Sequence, residues 1–275
     1  GAGFLSVSVI SSEHFLIEVK SVNGLSNLGG EDFDNRLIEY CINEFISKKD
    51  VDKMNIMNNP RALRRLRTEC EKTKKILSSA TKTIIEIFDL MDGEDLIIEI
   101  TRDIFDDLCI DLFKKCLVPI ENVLKDSKMN KSQLDTIILT GGSSRIPKIQ
   151  ELIREYFDGS KIIKQFNSDE IVSSGTALLA ATRSNITHDK IDRLILLDVI
   201  PYSIGFETVG GVMTVIIPRN STVPCKKTQF FSTYADNQTE ILIKVYEGER
   251  QLTKDNLLID KMLFDGLPLG PRGQI

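Results

Sequence analysis

The sequence predicts a multidomain chain, α/β followed by β, and three observations predict it. Helical and alternating apolar periodicities interleave through the first two thirds of the 275 residues. A short apolar strand runs through Gly141-Gly142 into a helix, the usual join in a parallel sheet. Beyond about residue 200 only period-2 segments remain, parted by Pro, Gly and Asn turns. The length suits two domains with a substantial core.

The opening reads as a hairpin: Leu5, Val7 and Val9 alternate with serines, Ser11 to His14 turn, and Phe15, Ile17 and Val19 alternate again. After Gly29-Gly30, Glu31-Asp32 favour the positive end of a helix bearing Phe33, Leu37, Cys41 and Phe45, running to about Lys48. Asn59-Pro60 opens a second helix with Leu63, Leu66, Cys70 and Leu77 on its apolar stripe. Thr83 to Ile87 and Leu96 to Ile100 form a hairpin about Met91 to Glu94. Thr101 then caps one helix carrying Ile104, Leu108, Leu112 and Val123. Thr136 to Leu139 is a buried-strand candidate, followed by a helix with Ile149, Leu152, Ile153 and Tyr156. A small-residue helix from Asp169 to Ala181 is expected to pack closely against its neighbours. The polar stretch from Ser184 to Asp189 and the apolar Leu194 to Leu197 read as an interdomain linker, and β segments follow at Met213 to Ile217, Gln229 to Thr233 and Glu240 to Tyr246.

Composition narrows the function classes. A net charge of −5 with 41% hydrophobic residues calls for neither a nucleic-acid nor a membrane partner, and no apolar run approaches bilayer length. Cys41, Cys70, Cys109, Cys116 and Cys225 are odd in number and lack a CxxC pair, so reduced thiols in a cytoplasmic setting are expected, with no metal site. His14 and His188 read as surface residues in turns.

Two segments invite a chemical reading. Gly141 to Pro147 could let a nucleotide approach the backbone at a helix start, or could be a tight strand-to-helix turn. The helix bearing Arg61, Arg64, Arg65, Arg67, Lys72, Lys74 and Lys75 could hold phosphate, but a solvated face is the usual explanation. Gly29-Gly30 and Gly1-Ala2-Gly3 are weak signals by themselves.

Leu28-Gly29-Gly30-Glu31-Asp32-Phe33-Asp34-Asn35-Arg36, Gly141 to Gln150, Gly210 to Thr214 and Val245-Tyr246-Glu247-Gly248-Glu249-Arg250, taken in order, resemble heat-shock protein 70 (DnaK-type) chaperones across essentially the whole chain. The resemblance implies the second half of an actin-like (ribonuclease H-like) ATPase domain over 1–185, a linker over 186–199, and an incomplete β-sandwich peptide-binding domain without its lid over 200–275. It implies ATP or ADP with magnesium as cofactor. The implied partners are unfolded or extended polypeptides, J-domain co-chaperones and nucleotide-exchange factors. The implied nucleotide contacts are Gly1, Ala2, Gly3, Gly29, Gly30, Glu71, Lys74, Lys75, Ser78, Gly141, Gly142, Ser143, Ser144, Arg145 and Asp169. The implied peptide contacts are Ile204, Phe206, Val209, Phe231, Tyr234, Ile241 and Ile243, any of which a sandwich core would also want, with Thr208 and Ser232 as polar contacts.

Departures from the family pattern bear on activity. Gly-Gly-Gly-Thr-Phe-Asp is replaced by Gly1-Ala2-Gly3-Phe4-Leu5-Ser6, and Leu25 stands where an aspartate is expected, so a hydroxyl and carboxylates that would steady phosphate and metal are gone. Phe4 and Ser6 are thus degenerate catalytic positions, and the chain alone is expected not to hydrolyse ATP. Lys75 stands where arginine is commoner, and an ammonium cannot stack on adenine as a guanidinium does. Arg193 interrupts the apolar linker. The primary expectation is a chaperone fragment that binds peptide without completing an ATPase cycle. An excerpt of an active ATP-driven chaperone and a non-catalytic chaperone-interaction module are the alternatives.

Overall fold

The computed structural model describes residues 1–49, 53–158, 162–163, 167–184 and 188–274. Strands β1 (Leu5–Glu13) and β2 (Leu16–Leu25) form the opening hairpin, with His14 turning at φ 55°. Helices α1 (Gly30–Lys48), α2 (Lys53–Met57) and α3 (Pro60–Leu77) follow. The Asn59 side chain caps α3 by accepting from the N–H groups of Arg61 and Ala62, with Pro60 already preset for the first turn. The β3 (Lys82–Met91) and β4 (Glu94–Thr101) hairpin leads into α4 (Arg102–Lys115), whose Ile104 N–H is received by Thr101.

One helix was expected here, and two are found, because α5 (Leu117–Ser127) begins beyond Cys116. Pro119 has no N–H to give the carbonyl four residues back, so the ladder of α4 ends there. The expected strand from Thr136 to Leu139 shrinks to β5 (Ile137–Ile138), paired in parallel with β6 (Ile162–Ile163). A two-stranded sheet cannot cover both faces, and Ile138 is 53% exposed rather than buried. Between these strands lies α6 (Pro147–Tyr156). After them, α7 (Ile171–Arg183) buries none of its residues, so the expected close packing of its small side chains is not found among the described residues. Residues 185–187, where the domain boundary and the start of the linker were placed, lie outside the described residues.

The remaining elements are α8 (Asp189–Asp192), β7 (Ile195–Val199), β8 (Ile204–Thr208), β9 (Val212–Ile217), β10 (Thr222–Val223), β11 (Glu240–Glu247) and β12 (Leu257–Asp265). The apolar linker candidate is a strand: β7 pairs in parallel with β2, Leu16 opposite Ile195 through Glu18 opposite Leu197, and antiparallel with β10. Gln229 to Thr233 forms no strand. The adjacent Phe230 and Phe231 break its alternation, both edges of β8 are taken by β9 and β11, and Phe230 is 95% exposed. β12 was not foreseen, because Leu257-Leu258-Ile259 and Met262-Leu263-Phe264 run together instead of alternating.

The chain divides into two compact units. The first, Gly1–Val7 with Asn23–Asp192, is α/β. Its core centres on Phe33, Phe105 and Phe113, with ring centroids 5.1 and 5.9 Å apart, joined by Leu37, Leu66, Leu77, Ile85 and Ile100. The second, Ser8–Val22 with Arg193–Ile275, is β-rich, and one of its sheets runs β12-β11-β8-β9.

Candidate functional site

In the α/β unit the glycine segments converge. The carbonyls of Gly1 and Ala2 accept from the N–H groups of Gly30 and Glu31 at 3.0 and 2.8 Å, which seats the first residues of the chain on the start of α1. Gly29 must lack a side chain there, since a Cβ would stand 2.3 Å from the Ala2 carbonyl oxygen. The Asp32 carboxylate accepts from the Gly29 N–H at 2.7 Å and fixes the turn. Over Gly30, the Lys74 ammonium and the Ser143 hydroxyl both lie within reach of where a Cβ would be. Helix α3 thus meets the Gly141–Arg145 turn across a glycine.

Lys74 is the best-held cation of this group. It donates to the Gly30 carbonyl at 2.8 Å and to the Asp34 carboxylate at 2.7 Å, both side chains being largely buried. Burial pushes the Asp34 carboxyl up from its ordinary range, against the pull of Lys74. Asp34 was missed in the sequence. The signal was a carboxylate on the inward stripe of α1 between Phe33 and Leu37, where burial demands a partner.

Lys75, the next residue of α3, pairs with Glu71 one turn back at 2.6 Å, and this bond draws the Glu71 carboxyl down and the Lys75 ammonium up. Ser78 donates back to the Lys74 carbonyl at 3.3 Å. Gly141 holds φ 82° and donates to the Ser168 carbonyl at 2.7 Å, tying its turn to the segment before α7. Ser144 closes the turn onto the Gly141 carbonyl at 2.7 Å. Arg145 reaches across the same join to Asn167 at 3.2 Å, Ser168 at 3.1 Å and Asp169 at 2.5 Å. With its edge engaged, the guanidinium keeps a flat face for a planar partner. Asn167 and Ser168 had no motif to betray them.

Gly3 has open space about its Cα, Phe4 is 59% exposed, and Ser6 is exposed as well. Chemically the arrangement offers fixed cations, hydroxyls and glycine-lined backbone, which is the equipment of a binding site. Among the described residues no group of three potential metal-ligating side chains comes together, and no helix is long and apolar enough to cross a membrane.

In the β-rich unit the register sorts the peptide candidates. Val245 opposes Phe206 and Glu247 opposes Ile204, so Ile204, Phe206, Ile241 and Ile243 share one face of the β8–β11 pair, with Thr208 in the same alternation. Phe231 comes from the preceding loop to within 5.9 Å of the Phe206 ring. Ile241 and Ile243 are half-buried, whereas Val209, Ser232 and Tyr234 are exposed. The opposite face carries a polar knot: Glu207 accepts from Lys244 at 2.6 Å and from the Tyr246 and Thr253 hydroxyls at 2.8 Å each. Those three donors, Lys244 foremost, hold the Glu207 carboxyl down to about 2.

Residues 1–275 match the sequence family described as Hsp70 protein. The chain is similar to heat shock cognate 70 kDa protein 3 of Dictyostelium discoideum, 51% identical over 273 residues, covering 99% of this chain and 43% of that protein. It is likewise similar to the heat shock 70 kDa proteins of Neurospora crassa and Penicillium citrinum, each 50% identical over 274 residues and 99% of this chain, covering 42% and 54% of them. The chain therefore spans about half the length, or less, of these curated relatives.

Proposed function

The chain belongs to the Hsp70 protein family, and from that premise we propose that it is a chaperone segment that binds extended polypeptide. The observation that carries this reading is the shared face of Ile204, Phe206, Ile241 and Ile243 beside the Phe206–Phe231 pair. An apolar strip on a sheet takes alternate side chains of an extended peptide, with leucine-like residues favoured. Thr208, Val209, Ser232 and Tyr234 complete the proposed contacts. In this reading residues 1–185 are the second half of an actin-like, ribonuclease H-like domain, 186–199 the linker, and 200–275 a β-sandwich peptide-binding domain. J-domain co-chaperones, nucleotide-exchange factors and a cytoplasmic setting belong to the same proposal.

Fluorescence anisotropy with a short leucine-rich peptide tests the groove. Ile241→Asp should weaken binding by about tenfold or more, ~1.4 kcal/mol, with the wild-type circular dichroism retained. Equal affinity for the two proteins would refute the groove.

The adenosine end of a nucleotide fits the α/β site. Glycines 30 and 142 let Lys74, Ser143 and Asp169 come close to the backbone, Lys74, Ser143 and Ser78 carry donors, and Arg145 presents a flat face. The magnesium and γ-phosphate end does not fit as well, because Phe4, Ser6 and Leu25 replace the family's hydroxyl and carboxylates. We therefore read the chain as binding adenine nucleotide without hydrolysing it. Single-turnover assays with ATP and magnesium should give no phosphate above background, and measurable turnover would favour the second reading, an active ATP-driven chaperone. Calorimetry with ADP should show Lys75→Arg binding about fivefold tighter, ~1 kcal/mol, the worth of one stacked cation.

A further inference from the structure

β7 lies inside its sheet, between β2 and β10, yet little apolar burial holds it there. Of its side chains only Val199 is buried, and Ile195 and Leu196 are exposed. Its parallel register with β2 covers three positions, Leu16 opposite Ile195 through Glu18 opposite Leu197. A strand inside a sheet is usually kept by the side chains it buries on the two faces, so this one needs other fastenings.

Both ends supply them. Beyond Val199, Asn220 donates its N–H to the Ile200 carbonyl and accepts from the Val22 N–H through its side-chain oxygen, each at 2.9 Å. The Ile200 N–H donates in turn to the Ser221 carbonyl at 3.1 Å, so that end is sewn to β2 and to the turn before β10. At the other end, His14 turns at φ 55° and delivers Phe15 beside the residues that lead into β7. The Phe15 carbonyl accepts from the Ile195 N–H at 2.9 Å, and the Arg193 guanidinium lies 5.8 Å from the centroid of the Phe15 ring. One residue thus receives the strand with its backbone and the approach to the strand with its ring.

We propose that Arg193 and Phe15 form a clasp that governs how often β7 opens from the edge of β2. A guanidinium is planar and weakly hydrated, so it lies against an aromatic face at a smaller desolvation cost than an ammonium. The ring attracts it within about 6 Å. Phe15 is 40% exposed, which leaves the contact partly in water and sets its worth at about a twofold to fivefold shift in the opening equilibrium. The guanidinium keeps its charge at every working pH, so the clasp does not titrate. Arg193, which interrupts the apolar reading of this segment, thereby fastens the run that follows it. When the clasp opens, Ile195, Leu196 and the free backbone groups of β2 face solvent together. Neither the peptide face nor the nucleotide contacts take part, so the clasp stands or falls apart from both proposed activities.

Hydrogen exchange of the whole chain, read at the Ile195 amide by NMR, measures this opening. Arg193→Met keeps an apolar stem and removes the charge, while Phe15→Leu keeps an apolar side chain and removes the ring. Each should speed exchange at Ile195 by about twofold to fivefold and leave the amides of β11 unchanged. The double variant should be no faster than the faster single one, since both changes remove the same contact. Unchanged exchange at Ile195 in either single variant would overturn the clasp, as would a double variant whose acceleration is the product of the two. A matching acceleration across β11 would mean general loosening and would count against it equally. Should Phe15→Leu fail to fold, Arg193→Lys decides: with a cation still over the ring it should exchange more slowly at Ile195 than Arg193→Met, and equal rates would refute the proposal.

Discussion

Single residues set the electrostatics of both units. Glu207 is the clearest case, held by three donors to a carboxyl value of about 2 against an ordinary 4.5. A depressed carboxyl contributes stability that is complete above about pH 4.5 and is lost as pH falls toward about 2. Chemical denaturation from pH 6 to pH 2 should therefore show a fall in midpoint that is smaller in Glu207→Gln. In the other unit, Lys74→Ala removes the partner of Asp34 and should cost about 2 kcal/mol, read as a lowered urea midpoint. Burial already favours the neutral acid, which keeps that cost below the loss for a fully ionised pair. Much of the site was legible at this scale: glycines 29, 30, 141 and 142 announced themselves by motif. Asp34 and Asn167 did not, because a helix stripe or a turn gives no local sign of the distant cation that such a residue will meet.

At the scale of elements, legibility followed local chemistry. The start of α3 was readable since Asn59 and Pro60 act within one turn, and Asn59→Ala should cost about 1 kcal/mol, measured by thermal denaturation. The β3–β4 hairpin was readable for the same reason, its turn and alternation lying close in sequence. Strands decided by a remote partner were not readable. Gln229 to Thr233 was expected as a strand yet finds no edge, and β12 lacks alternation yet pairs along β11 from Asp265 to Leu257. β7 belongs with these. As an apolar run it read as a linker, and its partners β2, far back in the chain, and β10 make it a strand.

For the whole molecule, that pairing crosses from the opening residues to the last third of the chain. Ser8–Val22 groups with Arg193–Ile275, so the division into units does not follow sequence order. A fragment holding only 193–275 should lose amide protection at Ile195 to Leu197 in hydrogen exchange, while β8 and β11 stay protected; equal protection at β7 would show that β10 alone suffices to order it. The same pairing sets a schedule for synthesis. β2 leaves the ribosome long before β7 exists, and at the usual pace of translation the wait is roughly 10–35 s. Throughout it, the edge of β2 that β7 will take is an open template for any other strand, so the nascent chain needs shielding at the β1–β2 hairpin.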